Sequence, residues 1–460
     1  MHSSLRRVQP TISMLTKHYR ERGSPPIMTP KSAKAFLAIK ARALGARARR
    51  LAKLTPGSVG LRPGDRQYAP SMAHFRAANR RLARIDRDIA KRLAFLRRHM
   101  RTSSPENTLT YMALVEREID RARRAFGMFF DIFSQRGSAF APTLAAHDLI
   151  AGDCYAAVRA SAPHVFKGDL LRPITYMEHG YSPATTRRGV SLGRLLGERN
   201  PFPIIRLPWD RDNPWQAVFL HEVSHNLQAD LGLWQENKNA VSRRMLRAGS
   251  DMAVTSVYTR WHKEVFADVA AVLLGGPASV WGSMDFLAHP SPKTMTFKPR
   301  GVHPTGYLRV LILAELLKRM GFGDEATRVR RVWTGLYHPA KGHRMPVRLL
   351  KTSPRTIPEV VDEIAYQARR NLGQRALADV IRFGHGDERR IRRGASELAG
   401  GRMPSGLPPR FFVSASRYAL HRGANIPALS HMVINHLSKR AADRSRSPMV
   451  SGLAVAGGYR

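Results

Sequence analysis

Apolar residues recur every three or four positions in two long segments of the N-terminal third, which is the spacing of one face of a helix. The first segment contains Phe75, Leu82, Ile85, Ile89, Leu93 and Leu96, and the second contains Met112, Val115, Ile119, Phe126, Phe129, Phe130 and Phe133. Ser104 and Pro105 stand between them, as an N-cap and a first-turn proline would. The pattern predicts a helical hairpin region over residues 71–164, which includes a further helix over 142–161.

The rest of the chain also has mostly helical spacing, and few segments have the alternation of a strand. We predict further helices over residues 304–320 and 414–437 and near 325–336 and 357–372. The short apolar runs 173–176 and 202–207 are the strand candidates. The chain is therefore expected to be mainly α with a small β-sheet.

Charge changes this picture at the N-terminal end. The 460-residue chain has a net charge of +42, and residues 1–102 contain 25 Lys and Arg against four Asp and Glu. Such a surplus favours nucleic acid or another polyanion as a partner, although an Arg-rich helix face is equally consistent with plain solvation. We predict an Arg-rich helix over 31–54 and a linker over 58–70, within a basic, partly disordered arm that spans residues 1–70.

The single cysteine, Cys154, excludes an intrachain disulfide and favours a reducing compartment. We expect it to be a small buried hydrophobe rather than a nucleophile. No apolar run is long enough for a transmembrane segment. We predict a cytoplasmic protein, with an N-terminus that weakly resembles an organellar transit peptide.

The candidate chemistry begins with the sequence HEVSH, inside an apolar helical pattern that we expect to start at Asn213 and to end at Gly232. His221 and His225 are four residues apart, so they share one helical face and can hold one zinc ion between them. Glu222 is rotated by about 100° from His221. It therefore lies beside the metal, where it can accept a proton from a zinc-activated water.

A catalytic zinc site needs a third protein ligand and an open position. The helical segment 261–275 is largely apolar, but Glu264 and Asp268 share one of its faces. Burying two carboxylates is costly unless a cation meets them, and zinc with its imidazole ligands would do so. We therefore predict Glu264 as the third ligand. Asp268 is expected to accept the second ring N–H of a zinc-bound histidine and so to fix its tautomer.

This combination of HEVSH with a downstream E-x-x-A-D helix resembles the gluzincin metallopeptidases, and most of all the HtpX and CAAX prenyl protease family. That family also has a His-Pro segment followed by an arginine, which His303 and Arg309 match here. The resemblance covers about residues 202–320, without the family's transmembrane helices and with a shorter gap between the two motifs. It implies that Glu264 binds zinc with Asp268 behind it, that His303 stabilises the oxyanion, and that Arg309 supports the site.

Several alternatives remain open at this point. His262 is a rival third ligand, although helical geometry turns it away from Asp268. Tyr258 and Tyr307 are rival oxyanion donors, or are simply packed. A metzincin site is excluded because that type needs Gly and His where the chain has Gln228 and Leu231.

The strand candidate just upstream of the motif helix, residues 203–207, also has two interpretations. An edge strand in this place often pairs with the extended substrate backbone of a zinc peptidase. An ordinary buried strand would have the same apolar sequence.

We predict a zincin-like catalytic domain over residues 165–340, a C-terminal helical region over 341–440, and a disordered tail over 441–460. The expected function is that of a zinc-dependent endopeptidase that acts on a protein or peptide substrate, with Glu222 as general base. The alternative is a nucleic-acid or anionic-surface binding protein that uses residues 1–102 and has a structural or inactive zinc site.

Overall fold

The fold class expected from the sequence is confirmed, because the chain is mainly helical and has one three-stranded sheet in its described part. The computed structural model describes residues 30–50, 53–166, 170–180, 183–191, 197, 199–210, 212–338 and 345–446. The disorder predicted within residues 1–29 and 447–460 lies outside these ranges.

Sixteen α-helices occur in the described ranges. They are α1 (Pro30–Arg49), α2 (Met72–His99), α3 (Pro105–Ser134), α4 (Ala141–Ser161), α5 (Val218–Asp230), α6 (Leu233–Arg247), α7 (Met252–Gly275), α8 (Pro277–Leu287), α9 (Ser291–Thr294), α10 (Gly306–Arg319), α11 (Gly323–Leu336), α12 (Val347–Val361), α13 (Leu377–Val380), α14 (His385–Ala399), α15 (Phe411–His421) and α16 (Ile426–Arg446). Short 3₁₀ turns join several of them.

The sheet consists of β1 (Ile174–Met177), β2 (Ala184–Thr186) and β3 (Ile204–Leu207), in the order β1-β3-β2. β3 pairs in parallel with β1 and antiparallel with β2. It is therefore the central strand, so the interpretation of residues 203–207 as an edge strand open to a substrate is wrong and the buried strand is confirmed. β2, which the apolar pattern did not predict, forms one edge of the sheet.

The contacts within the chain divide it into two units. The first comprises the residues up to 51 together with 86–120, and so contains α1, the second half of α2 and the first half of α3. Its core includes Leu44, Leu96 and Ile119, which are all buried. Ser104 caps α3 as predicted, since its Oγ accepts the Asn107 N–H at 3.2 Å.

The second unit comprises residues 52–85 and 121–460. One apolar core extends from α4 to α16, and α7 lies inside it with α5, α6, α8 and α10 packed around. The segment 58–70, predicted as a linker, contains two 3₁₀ turns, of which the second packs on α4 and α16. Cys154 is fully buried, and burial raises the pKa of its thiol, as expected of a packing residue.

Three predicted boundaries need correction. The motif helix begins at Val218 and not at Asn213. Asn213 does not cap it, because its carbonyl accepts the Gln216 N–H in a preceding turn and its side chain faces Ser430. The helix predicted over 414–437 is divided between α15 and α16. Residues 441–446 were predicted to belong to a disordered tail, but they continue α16.

No helix in the described ranges combines the length and the apolar character needed to cross a membrane.

Candidate metal centre

The two helices that carry the predicted ligands, α5 and α7, pack directly against each other in the core. α7 begins with a side-chain cap, in which Asp251 Oδ1 accepts the Val254 N–H at 2.9 Å. It ends at the glycine pair, as predicted, because Gly276 has a φ of 70° that favours glycine. The two ends therefore fix the length of the helix that holds Glu264 and Asp268.

The structure brings His221, His225 and Glu264 together. Oε2 of Glu264 lies 3.4 Å from Nε2 of His221 and 3.5 Å from Nε2 of His225. One ligand atom from each residue falls within 4.8 Å of the others, and this is the only such group found among the described residues. The predicted ligand set is thus a cluster in space, formed by one turn of α5 and one residue of α7.

The donor set fits a zinc ion, and so do the two nitrogen–oxygen separations to Glu264. Two ligand atoms at 2.0–2.1 Å from a tetrahedral zinc are separated by about 3.3 Å. The two nitrogen–oxygen distances of 3.4 and 3.5 Å match that separation and exceed an ordinary hydrogen bond. Two imidazoles and one carboxylate are also a ligand set that zinc uses in catalytic sites.

Asp268 lies behind the first histidine, as predicted. Its Oδ1 accepts the Nδ1–H of His221 at 2.8 Å, which leaves Nε2 as the ring nitrogen that faces Glu264. Arg309 donates to both oxygens of the same carboxylate, at 2.6 and 2.8 Å. A bidentate guanidinium of this kind offsets much of the cost of burying the charge.

These contacts set the protonation of the cluster. Burial would raise the pKa of Asp268, but Arg309 and His221 outweigh it and lower the pKa to about 2. Burial would lower the pKa of His221, but Asp268 outweighs burial and raises it to about 9. Burial lowers the pKa of His225 to about 4. The two histidines hold the pKa of Glu264 well below its usual range, against the effect of burial.

Glu222 lines the cleft into which the three ligands open, and its side chain is largely buried there. Burial raises the pKa of this carboxyl to about 7, and the nearby Glu264 adds to the rise while His221 opposes it. The cleft has a volume of about 330 Å³. Glu222, which the motif places beside the metal, is therefore accessible from the cleft and has a pKa near neutrality.

His303 lies at the mouth of the same cleft, with its side chain 65% exposed. Its Nε2 is 3.5 Å from Oε1 of Glu264, the oxygen that faces away from the other two histidines. The structure therefore brings His303 to the site. His303 directly precedes Pro304, which is followed by the N-cap of α10.

The rival residues lie elsewhere. His262 uses Nδ1 to donate to the Thr259 carbonyl at 2.7 Å and packs edge-on against Trp234, so it is not part of the ligand cluster. The Tyr258 hydroxyl is buried against Thr356 at 2.9 Å. Tyr307 is buried beside α11, where its carbonyl accepts the Trp333 indole N–H at 3.1 Å. These three residues are packing residues.

The sequence did not indicate the walls of the cleft. They include residues of β2 and the residue after it, Arg187, together with Trp234 at the start of α6, Lys263 on α7 and Phe286 on α8. Of these residues, only Lys263 carried a signal, as the neighbour of the predicted ligand Glu264. The others come from parts of the chain without a recognisable pattern.

The wall formed by β2 is tied to the helix that carries the histidines. Arg188, the residue after Arg187, donates from Nε to Oδ1 of Asp230 at 2.8 Å, and Asp230 is the last residue of α5. The hydroxyl of Tyr155 donates to the other oxygen of Asp230 at 2.7 Å. Asp230 is buried, so this ionic contact is well shielded from water.

Comparison with protein-family models, with curated proteins and with solved structures finds no match to this chain. The resemblance to gluzincins therefore rests on the residues of the two sequence motifs.

Proposed function

We propose that this protein is a zinc-dependent endopeptidase whose metal is held by His221, His225 and Glu264. The observation that carries the proposal is the incomplete ligand set. Among the described residues the cluster offers three ligands, and these open into a cleft that Glu222 also lines. A structural zinc site is normally closed by four protein ligands and has no use for an adjacent carboxylate.

Bound zinc would supply Lewis-acid chemistry, by acidifying a water and polarising the peptide carbonyl. Glu222 is the residue that accepts the proton of the attacking water and later delivers it to the leaving amine, a role suited to a carboxyl with a pKa near 7. His303, which lines the cleft mouth, is the residue that would donate a hydrogen bond to the developing oxyanion. Asp268 and Arg309 keep His221 in its ligand tautomer.

The edge strand β2 gives this cleft a way to hold an extended peptide. Pro183, Ala184 and Thr185 line the same cleft as the histidines, and β2 pairs with β3 along one of its edges. A substrate segment that adds to β2 as a further strand would bind through main-chain hydrogen bonds, with little regard to sequence. Its scissile bond would then run past Glu222.

The test is a comparison of the protein with its Glu222→Gln variant. Both are expected to bind about one zinc per chain by elemental analysis, since Gln keeps the shape of Glu and Glu222 is not a ligand. Cleavage of an unfolded protein should fall by about 10²–10⁴-fold in the variant, the usual contribution of a general base. Glu397→Gln on α14 is the matched control and should retain the parent's rate. Equal cleavage by Glu222→Gln and the parent would refute the mechanism.

A second candidate function, binding of a polyanion, is favoured by one groove of the second unit. Arg76, Arg80, Arg81 and Arg84 of α2 line it, and its volume is about 430 Å³. Arginines spaced along one helix face suit a row of phosphates. If single-stranded DNA binds there, its affinity should fall steeply between 50 and 200 mM salt, and an Arg76→Gln/Arg80→Gln variant should bind more weakly with a smaller salt slope. An affinity that is independent of salt would exclude this function.

A further inference from the structure

Two cations lie close to one indole ring inside the cleft. The guanidinium carbon of Arg187 lies 4.1 Å from the centroid of the Trp234 ring, and Nζ of Lys263 lies 5.5 Å from it. All three side chains line the cleft that contains the metal ligands. Arg187 and Lys263 therefore give the cleft a positively charged region that any bound peptide meets.

The charge of Arg187 is not neutralised by an ion pair within the described residues. No carboxylate in the described ranges forms an ion pair with its guanidinium, and the ring of Trp234 contacts one face of that group. Burial accordingly lowers the pKa of Arg187, and the charge of Glu264 only partly opposes this effect. Stacking leaves the N–H groups at the edge of a guanidinium available, and they can grip a carboxylate with two parallel hydrogen bonds.

The charge of Lys263 is shared with a metal ligand. Its Nζ lies 3.7 Å from Oε1 of Glu264, on the side of that carboxylate that faces the cleft. Once zinc is bound, its charge exceeds that of Glu264 by one, and Arg309 cancels Asp268. Arg187 and Lys263 then face only the single carboxylate of Glu222. The loaded cleft is therefore net positive and attracts an anion.

The backbone at Arg187 is held in place before any ligand arrives. Its carbonyl accepts from the side-chain amide of Asn200 at 3.3 Å, and the next residue, Arg188, is anchored on the buried Asp230. A cation that is already oriented loses little conformational entropy when it binds, which strengthens recognition.

We propose that Arg187 and Lys263 form a carboxylate subsite on the Trp234 ring, so that the preferred substrate carries a carboxylate next to the scissile bond. This inference rests on the proposed peptidase function and names its substrate class. The carboxylate is either the side chain of an acidic residue within a chain, as suits an endopeptidase, or the free C-terminus of a peptide, which would make the activity that of a carboxypeptidase. Both place the same planar anion against the guanidinium.

The experiment measures kcat/KM of the zinc-loaded protein on matched quenched-fluorescence peptides. One pair differs by Glu against Gln beside the cleaved bond, and a second pair differs by a C-terminal acid against an amide. The parent is expected to prefer one of the two acids by about 10-fold or more, as for a hydrogen-bonded ion pair. The pair that shows the preference identifies the source of the carboxylate.

The variants separate recognition from folding. Arg187→Gln should lose most of the preference, with a larger loss of kcat/KM on the acidic peptide than on its neutral counterpart, because a subsite acts most strongly on the charged substrate. Arg187→Glu should reverse the preference toward a peptide with Lys at that position, which a merely structural role would not do. Arg187→Lys should keep part of it, and Arg331→Gln, an exposed arginine on α11, should keep all of it. Zinc content and thermal unfolding check that each variant is folded.

A binding measurement keeps this inference distinguishable from the proposed function. Peptide hydroxamates, which bind zinc without being cleaved, are titrated calorimetrically with Glu or Gln beside the hydroxamate and with a C-terminal acid or amide. Tighter binding of an acidic compound that Arg187→Gln abolishes would support the subsite, even if the parent cleaves no peptide and the peptidase proposal fails. Equal affinity for the acidic and neutral compounds in the parent would overturn the subsite, even if peptides are cleaved.

Discussion

Nδ1 of His221 and Oδ1 of Asp268 lie 2.8 Å apart, across the interface of α5 and α7. The contact fixes the ring of a metal ligand from behind, so its loss should weaken zinc binding. In Asp268→Asn, Arg309 would also lose its anionic partner. We expect the zinc affinity to fall about 10–100-fold, measured by competition with a fluorescent chelator. Asp285→Asn removes an exposed carboxylate that pairs with the largely buried Arg417 and not with a predicted metal ligand, and its affinity should equal that of the parent.

Zinc should stabilise the folded protein, because its ligands come from two helices that are brought together only by folding. Zinc at 100 times its dissociation constant contributes about 2.7 kcal/mol to the free energy of unfolding, so chelation should lower the unfolding temperature of the parent. His262→Gln should respond to zinc like the parent, whereas Glu264→Gln should respond much less. The assignment of Glu264 as a ligand is wrong if its variant gains the full stabilisation.

Gly275 lies where α7 passes close to three other helices, α5, α8 and α15, and Ser279 Oγ of α8 is the atom nearest to an added Cβ. A Cβ added there would approach Leu220 Cδ1 at 2.8 Å and Ser414 Oγ at 2.9 Å. We expect Gly275→Ala to lower the free energy of unfolding by about 1–3 kcal/mol, the usual cost of overpacking a core. Gly335→Ala on α11 is the control, because nothing lies within 4 Å of its added methyl group. It should instead stabilise the helix by up to about 1 kcal/mol. Urea unfolding measures both, and equal effects of the two substitutions would contradict the close approach.

His74 gives the fold a dependence on pH that is separate from the metal. Its Nδ1 faces the Ser71 hydroxyl at 2.8 Å and its Nε2 faces the Arg172 carbonyl at 3.0 Å, as in a neutral ring. Burial lowers its pKa below 6.5, although the Arg172 carbonyl and Asp148 oppose the shift. The unfolded chain therefore binds a proton at a higher pH than the folded protein does. The free energy of unfolding should fall as the pH drops from 7.5 to 5.5, by up to about 1.4 kcal/mol from this residue.

The variant His74→Gln isolates this effect, since Gln keeps a donor and an acceptor but does not titrate. Urea unfolding at pH 7.5 and 5.5 should show a smaller loss of stability in the variant than in the parent. His164→Gln removes an exposed histidine and should behave like the parent. If parent and His74→Gln lose the same amount, the ring does not stay neutral on folding.

The site was predictable where the chemistry is local in sequence. His221, Glu222 and His225 occupy one turn of α5, and Glu264 and Asp268 are one turn apart on α7, so helical periodicity alone puts each set on one face. An otherwise apolar helix that carries two carboxylates indicates a cationic neighbour. This is why the sequence predicted that α7 lies next to the helix with the two histidines. The two long helices α2 and α3 were predictable from their apolar spacing. The end of α7 was predictable from Gly276. Both signals are local in the sequence.

The parts that could not be predicted depend on tertiary contacts. β2 has only three residues and no apolar alternation. Its strand conformation depends on its pairing with β3, which is a tertiary contact. Four apolar residues in β3 are equally compatible with an edge and with a central strand. Asn213 has the side chain of a helix cap, but it faces Ser430 from a distant helix instead. Arg187 and Trp234 become neighbours only in the folded chain.

Asp230 joins the helix that carries the histidines to the strand side of the cleft. It ends the helix that carries His221 and His225, and Arg188, two residues after β2, is ion-paired with it. This buried contact helps to hold β2 beside that helix. For the proposed peptidase, we expect a strand held in this way to accept an extended segment rather than a helix, whose backbone hydrogen bonds are already made. A folded protein would become a target only after another process has loosened it.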